Sequence, residues 1–469
     1  MKEFDYNDPR GKKKKKKKQK TIVIPFILLS LCFTLWGYAN NVTAPMINSF
    51  SRIFHITYTD ASLVNVTSYF AYFVMSIPAA IIIRRFRYKS GVLIGLLLLG
   101  VGALLFFPAR QTEFFYSFLG AYFVMTCGNA FLETTCSPFV YSIGEERHAL
   151  RRLNLAQSFN AVGAFIGLFL ANQYVQKKLS RIDENVFAIL PENQFRYIVD
   201  HDLDVLIQPY MLIGVLAIAL AVLIVITRDP MKEEAKPKES LKEAFGNLAH
   251  SIRFRNSALA LFFYIGAQTC CWSFMIIYGK KAFVDEGMNE LSAETVAAQY
   301  QLAAIFFFAI NRFICTWLIE HIKPSLMLRS FAIAAIASLF GAMVLGGRNG
   351  VYCLVLTSVC MSMMFPTIYG MALNGLKDRM KVASAVLIMM LIGGSIIPML
   401  QVLIIDNFDK IIGFPAVNFS FIVPLICMVV IAIYAHIAYM AFYNDEDDST
   451  IDAKILSPSS ENDSDEIFS

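Results

Sequence analysis

Glu133, in the run FLETTCSP, is an acid set deep in an apolar stretch; no other Asp or Glu sits deep in any apolar segment, and Glu320 falls at a segment end. A charged side chain in hydrocarbon costs about 3 kcal/mol of insertion free energy, so such residues are kept for a reason. Protonation removes most of that cost, and a carboxyl so placed can alternate between neutral and ionised forms. That alternation is what a proton carrier requires. The competing reading is structural: a Glu kept neutral, or paired with Arg312, to pack one helix on another.

Polar side chains recur around it at helical spacing. Asn129 precedes Glu133 by four residues and shares its face. Asn154, Gln157 and Asn160 form a second stripe, Tyr264, Gln268 and Trp272 a third, and Asn40 and Asn41 lie together in the first apolar segment. Gly393, Gly394, Pro398 and Gln401 fall in the eleventh. Amides in hydrocarbon either bond neighbouring helices or line a wet cavity, and both uses stay open for any one of them. Taken with Trp272 the set resembles a sugar site, in which amides grip hydroxyls and an aromatic face covers the apolar side of the ring. Pro45, Pro78, Pro138, Pro366, Gly393, Gly394 and Pro398 weaken helices locally, which suits segments that rock but is also common in membrane helices at large.

The elements that must position these groups are membrane helices. Of 469 residues 57% are hydrophobic and 16% charged, with a mean hydropathy of +0.54; a soluble domain carries about 25% charged residues. Apolar segments long enough to cross hydrocarbon cover 21–47, 61–83, 90–109, 114–140, 153–176 and 209–227, then 256–279, 297–320, 325–347, 350–373, 382–405 and 416–443. The expected fold is therefore all-α, twelve transmembrane helices in two six-helix halves, 21–227 and 256–443, joined by a charged linker at 228–255. A basic tail (1–20) and an acidic tail (444–469), the latter read as disordered, flank the body. Lys and Arg favour the loops on the side of the termini by roughly three to one, which puts both termini in the cytoplasm. The run Lys12 to Lys18 can hold anionic lipid or act as a solvated tail that fixes this topology. The apolar run from Thr21 is too long for a signal peptide.

Other functions lack their residues. All nine Cys lie in apolar stretches and read as packing groups, without disulfide or metal spacing. No Walker A sequence points to an ATP-driven pump. A lone Glu133 supplies neither a nucleophile with a base nor a metal site, so an enzyme is not expected, and with no folded output domain neither is a receptor. No cofactor is expected, and no nucleic-acid partner; the expected partners are a small sugar, protons and the lipid bilayer, with the chain acting as a monomer. The formal N-x-T matches at Asn41 and Asn65 lie in or beside spans, where glycosylation is not expected.

LWGYANNVTAPM in the first span, CGNAFLETTCSPFV in the fourth, LRRLNLAQSFNAVGAFIG in the fifth, GAQTCCWSF in the seventh, NRFICTWLI in the eighth and FPTIYGMALNGL in the tenth resemble the fucose-proton symporter family of the major facilitator superfamily. The resemblance spans about residues 21–443 and implies an inner-membrane symporter for L-fucose or a related hexose, driven by the proton gradient and working by alternating access. It implies that Glu133 binds sugar and couples the proton, and that Asn41, Gln157, Asn160, Gln268 and Trp272 line the cavity. Asn129 joins them as a candidate substrate contact, while Arg312, Pro366, Gly393, Gly394 and Pro398 are candidates for structure or gating. The family's first-span pattern N-N-x-N-D places a second carboxylate where this chain has Ala44, after Thr43. Coupling then rests on Glu133 alone, or the chain is an uncoupled facilitator, or it carries another small polar solute. Phe365 stands where relatives place Tyr, which removes one hydroxyl.

Overall fold

A computed structural model describes residues 9–43, 53, 54, 56, 58–179, 191–229 and 239–456. Pro45 and Ala44 lie outside them, as do 1–8 and 457–469. Among the described residues twelve helices are long and apolar enough to cross a membrane: Val23–Thr43, Leu63–Arg85, Tyr88–Thr112, Phe115–Ser142, Glu146–Val175, Arg196–Ile226, Ile252–Asp285, Glu290–Leu318, Pro324–Leu345, Gly347–Leu373, Lys377–Asn407 and Ala416–Met440. Each coincides with an expected segment to within a turn or two, the sixth excepted, which starts thirteen residues earlier. Leu, Ile, Val and Phe side chains stand outward along them (Ile226 is 76% exposed, Val215 60%), as in a helix that crosses hydrocarbon.

Why the bundle forms two halves is visible in its cores. One hydrophobic cluster draws on the first half alone, from Leu29 to Ile224. The other is built from spans seven to twelve, with a few first-half residues (Tyr72, Ala130, Tyr141, Ala149, Leu153, Ala161) packed on it where the halves meet. Within the first half the first and fifth spans approach very closely. A Cβ on Gly37 would stand 2.2 Å from the Asn160 carbonyl oxygen, and one on Gly163 2.0 Å from that of Thr34, so small residues here set the spacing.

The ends depart from expectation. The first helix begins at Pro9, inside the basic tail, and the last continues to Leu456, so residues 444–456 are helical rather than disordered. Lys is a good helix former and extends the first helix backwards at little cost; the run 445–456, with four Asp, is a poor one, and its helix is carried by the apolar span that nucleates it. The linker likewise contains a helix, Leu241–His250, started by a capping box: Ser240 Oγ accepts from the Glu243 N–H at 3.2 Å, and the Ser240 N–H donates to Glu243 Oε2 at 2.8 Å. Lys410–Ile411 and Phe414–Pro415 pair as a minimal antiparallel hairpin between the last two spans.

Candidate functional site: a chamber between the two halves

A cavity of about 710 Å³ separates the halves. Its wall includes Asn41, Glu133, Gln157, Asn160, Gln268, Trp272 and Arg312, so seven of the expected residues, from five spans and both halves, meet around one space. The cavity runs from Glu133 and Arg312 to a mouth at Thr43, Asn65, Asn172, Lys280 and Glu294. Those mouth residues occupy the span ends remote from the chain termini.

At the other end, which carries the termini, the halves are bonded together. Ser158 of the fifth span and Thr316 of the eighth have their hydroxyls 3.4 Å apart. Ser384 of the eleventh donates to the Thr134 carbonyl of the fourth at 2.7 Å. Arg151 pairs with Glu320. Arg379 donates to both carboxylate oxygens of Glu239, at 2.5 and 2.8 Å, and Arg84 of the first half reaches the Glu239 carbonyl. Glu239 lies outside the spans, and Arg379 holds its carboxyl below the ordinary carboxylate range. The chamber is thus open at one end and sealed at the other.

Glu133 is 5% exposed and stands at the sealed end. It interacts with the Tyr72 hydroxyl, which accepts from Asn40 Nδ2 at 2.9 Å, while Asn129 Nδ2 donates to Asn40 Oδ1 at 2.8 Å. Asn129 is fully buried behind this chain and off the cavity wall, unlike the expectation of a sugar contact: its Nδ2 is spent on Asn40, and its Oδ1 is buried without a partner. Asn154 and Tyr264 leave the wall for similar reasons, bonded to the carbonyls of Leu150 and Met361.

Arg312 does not close on Glu133 as an ion pair among the described residues. Its Nε donates to the Ser362 carbonyl at 2.5 Å, its second arm to the Gln157 carbonyl across the halves at 3.0 Å, and its guanidinium lies 4.6 Å from the centre of the Phe308 ring. Pro366 explains the first bond. It has no N–H, so the Ser362 carbonyl four residues earlier loses its helical donor, the tenth span breaks at Ser362 and Met363, and Arg312 takes the freed oxygen. Asn311 secures the same break, donating to the Val359 carbonyl at 3.0 Å and Ser362 Oγ at 2.8 Å.

The remaining wall is a mixture of amide and ring. Asn41 and Asn160 direct their NH₂ groups at the carbonyls of Gly37 and Phe33, which leaves amide oxygens for a ligand. Gln157 Nε2 is buried without a partner. Trp272 is fixed by Nε1 donating to Ser358 Oγ at 3.2 Å and by edge-on contact with Phe308, ring centres 5.1 Å apart. Gly393 and Gly394 follow a 3₁₀ turn in the eleventh span, off the wall. A Cβ on Gly393 would meet the Phe262 carbonyl at 2.2 Å, and one on Gly394 the Tyr69 ring of the other half at 2.5 Å, so both are close-approach points. Pro398 lies further along the same helix.

The structure adds wall residues that the sequence reading passed over: Trp36, Ser68, Tyr69, Tyr72, Thr269 and Gln301. The signal for three was present. Asn65, Ser68 or Tyr69, and Tyr72 recur every three to four residues on the second span, a polar stripe like the one on the fifth.

Comparison with known proteins agrees with this geometry. Residues 29–398 match the family model of the Major Facilitator Superfamily. An L-fucose-proton symporter of Haemophilus influenzae is 40% identical over 426 residues, 90% of this chain and 97% of the relative. The L-fucose-proton symporter of Escherichia coli is 32% identical, covering 89% and 93%. A glucose/galactose transporter of Brucella abortus is 28% identical, covering 87% and 92%. The crystal structure of the major facilitator transporter FucP in the outward conformation superposes with a TM-score of 0.78 at 31% identity, covering 89% of this chain and 99% of that one. This twelve-span, multi-pass membrane protein belongs to the Major Facilitator Superfamily and, within it, to the L-fucose-proton symporter family.

Proposed function

We propose that the chain imports L-fucose or a related hexose together with a proton across the bacterial inner membrane, by alternating access. One observation carries the reading: a buried carboxyl, Glu133, stands at the sealed end of a chamber whose wall mixes amides and hydroxyls with two tryptophans, two phenylalanines and aliphatic side chains. The volume falls in the range of about 300–1,000 Å³ common for small-molecule sites. Relatives named as fucose-proton symporters over nine-tenths of the chain support the same substrate and coupling ion. The excess of Lys and Arg on the terminal side puts the termini in the cytoplasm, so the mouth at Lys280 and Glu294 faces outward and receives sugar.

Asn41, Gln157, Asn160 and Gln268 engage hydroxyls, Trp272 covers the ring, and Glu133 takes the proton. Ala44 leaves no second first-span carboxyl, so Glu133 carries the coupling. Each chain holds a complete chamber between its own halves and works as a monomer, with the proton gradient in place of a cofactor. Pro366, Gly393, Gly394 and Pro398 mark where the second half bends as the chamber changes sides, and Arg312 braces it. The purified protein in vesicles tests this: L-fucose should accumulate under an inward proton gradient and cease to accumulate when a protonophore collapses it. Equal uptake in both conditions refutes symport.

A further inference from the structure

Pro138 has no N–H, so the Thr134 carbonyl, four residues earlier and one peptide from Glu133, has no helical donor. The other half supplies one. Ser384 Oγ donates to that carbonyl at 2.7 Å, and with its proton so used it accepts from the Tyr369 hydroxyl at 2.5 Å. Thr134, Ser384 and Tyr369 are all fully buried. Tyr369 in turn stacks on Phe365, ring centres 5.8 Å apart and planes 24° from parallel, and Phe365 is part of the chamber wall.

We propose that the chain Phe365, Tyr369, Ser384, Thr134 carbonyl is the latch through which the contents of the chamber govern separation of the halves at the terminal end, with Ser384 as its positioning residue. This rests on the symport reading above. One end of the latch bears on the surface a sugar touches, and the other is the backbone next to the proton-carrying side chain. Among the other contacts joining the halves, Arg151 with Glu320 and Arg379 with Glu239 reach neither, and Ser158 with Thr316 and the Arg312 bond to the Gln157 carbonyl lie at or beside the chamber wall but leave the backbone beside Glu133 untouched. The titratable and charged groups around Glu133 are Tyr72 of the second span, Arg312 of the eighth, Tyr369 of the tenth and Cys136 of its own helix. None of them takes the Thr134 carbonyl. When the ends part, the hydroxyl of one half and the carbonyl of the other must separate, and because Pro138 cannot offer an N–H, the carbonyl is left to water. Sealing and unsealing therefore exchange one bond for hydration at the point where sugar and proton meet.

Two substitutions in the full chain remove the bond by different routes. Ser384→Ala deletes the donor; Pro138→Ala restores an N–H that captures the Thr134 carbonyl within its own helix. Each is reconstituted in vesicles beside the parent, and L-fucose binding, counterflow, accumulation under a pH gradient, and the spin-label distance between the terminal ends of the fourth and eleventh spans are measured. The expected result for both is binding within two-fold of the parent, preserved counterflow, lowered accumulation, and a sealed-to-open ratio at the terminal end, read from the spin-label distances, about five-fold smaller. Five-fold is what losing one net hydrogen bond of about 1 kcal/mol does to a two-state ratio. Binding reports folding, and if one variant fails to fold the other decides. Parent-like accumulation and distance in a folded variant overturns the latch. A parent that never accumulates L-fucose refutes symport instead, and the distance measurement still tests the latch.

Discussion

Replacing Glu133 by Gln tests the coupling most directly, because the substitution keeps shape and hydrogen bonding while fixing the group in its neutral state. The wall of the chamber holds two carboxyls among the described residues, Glu133 at the sealed end and Glu294 at the mouth, and Glu294 lies 3.9 Å from the Lys280 ammonium. Position 44 is Ala and offers none. One carboxyl available to cycle means one proton for each sugar. A pH difference of one unit supplies about 1.4 kcal/mol per proton, which sustains about a ten-fold sugar gradient. Vesicles held at pH 7.5 inside and 6.5 outside should therefore concentrate radiolabelled L-fucose about ten-fold with the parent and to parity with Glu133→Gln, while the variant still exchanges labelled for unlabelled sugar. Accumulation above parity by the variant refutes Glu133 as the proton carrier. A parent that reaches about a hundred-fold refutes the single-carboxyl count, since that ratio needs two protons.

Trp272→Ala removes a ring held in place by Ser358 and Phe308 and should weaken L-fucose binding about three- to ten-fold by calorimetry, with Trp272→Phe losing less. Gln157→Ala deletes the buried amide nitrogen that lacks a partner, so binding should fall about five-fold without loss of thermal stability. Arg312→Lys keeps the charge but cannot bridge the carbonyls of Ser362 and Gln157 at once; the melting temperature in detergent should drop, by the loss of at least one charge-assisted bond of about 1.5–3 kcal/mol, and transport should drop with it. Glu239→Gln should speed opening of the terminal end at neutral pH. Arg379 holds this carboxyl below its ordinary range, so the ion pair is complete above that range and is lost only as pH falls through the lowered value. Parent and variant should converge only in that acidic window, and spin-label distances there and at pH 7 check it.

Much of the architecture was legible because lipid leaves the chain few options. Twelve apolar stretches of the right length, and a Lys and Arg bias that alternates with them, admit little besides a helical bundle. Glu133 was legible for the same reason, since an acid at that depth is anomalous. Asn129 shows where such reading stops. Spacing put it on the face of Glu133, but whether a buried amide meets solvent or a neighbouring helix depends on what stands opposite, and Asn40 stands there. Tyr72 shows the converse: an aromatic residue in a membrane helix carries no anomaly, and only its position across from Glu133 gives it a role. Residues 444–456 are helical where composition predicts disorder, because composition reports solvation while their helix continues the span before them.

The same physics sets why sugar and proton travel together. Closing the mouth over an ionised Glu133 would seal a charge away from water while the nearby Arg312 is committed to two backbone carbonyls, at a cost of several kcal/mol; a proton removes that cost. Closing it over an empty chamber would strand the oxygens of Asn41 and Asn160 without partners, at about 1–3 kcal/mol each, and leave Gln157 Nε2 as unsatisfied as it is in the open chamber; a hexose satisfies all three. Neither cargo supplies what the other does, since a proton fills no hydrogen bonds on the amide wall and a sugar hydroxyl cannot neutralise a carboxylate. A penalty of about 4 kcal/mol for either missing cargo keeps the half-loaded occluded state near one part in a thousand. Coupling of this kind needs no contact between sugar and proton, only a chamber that is expensive to close unless both are present.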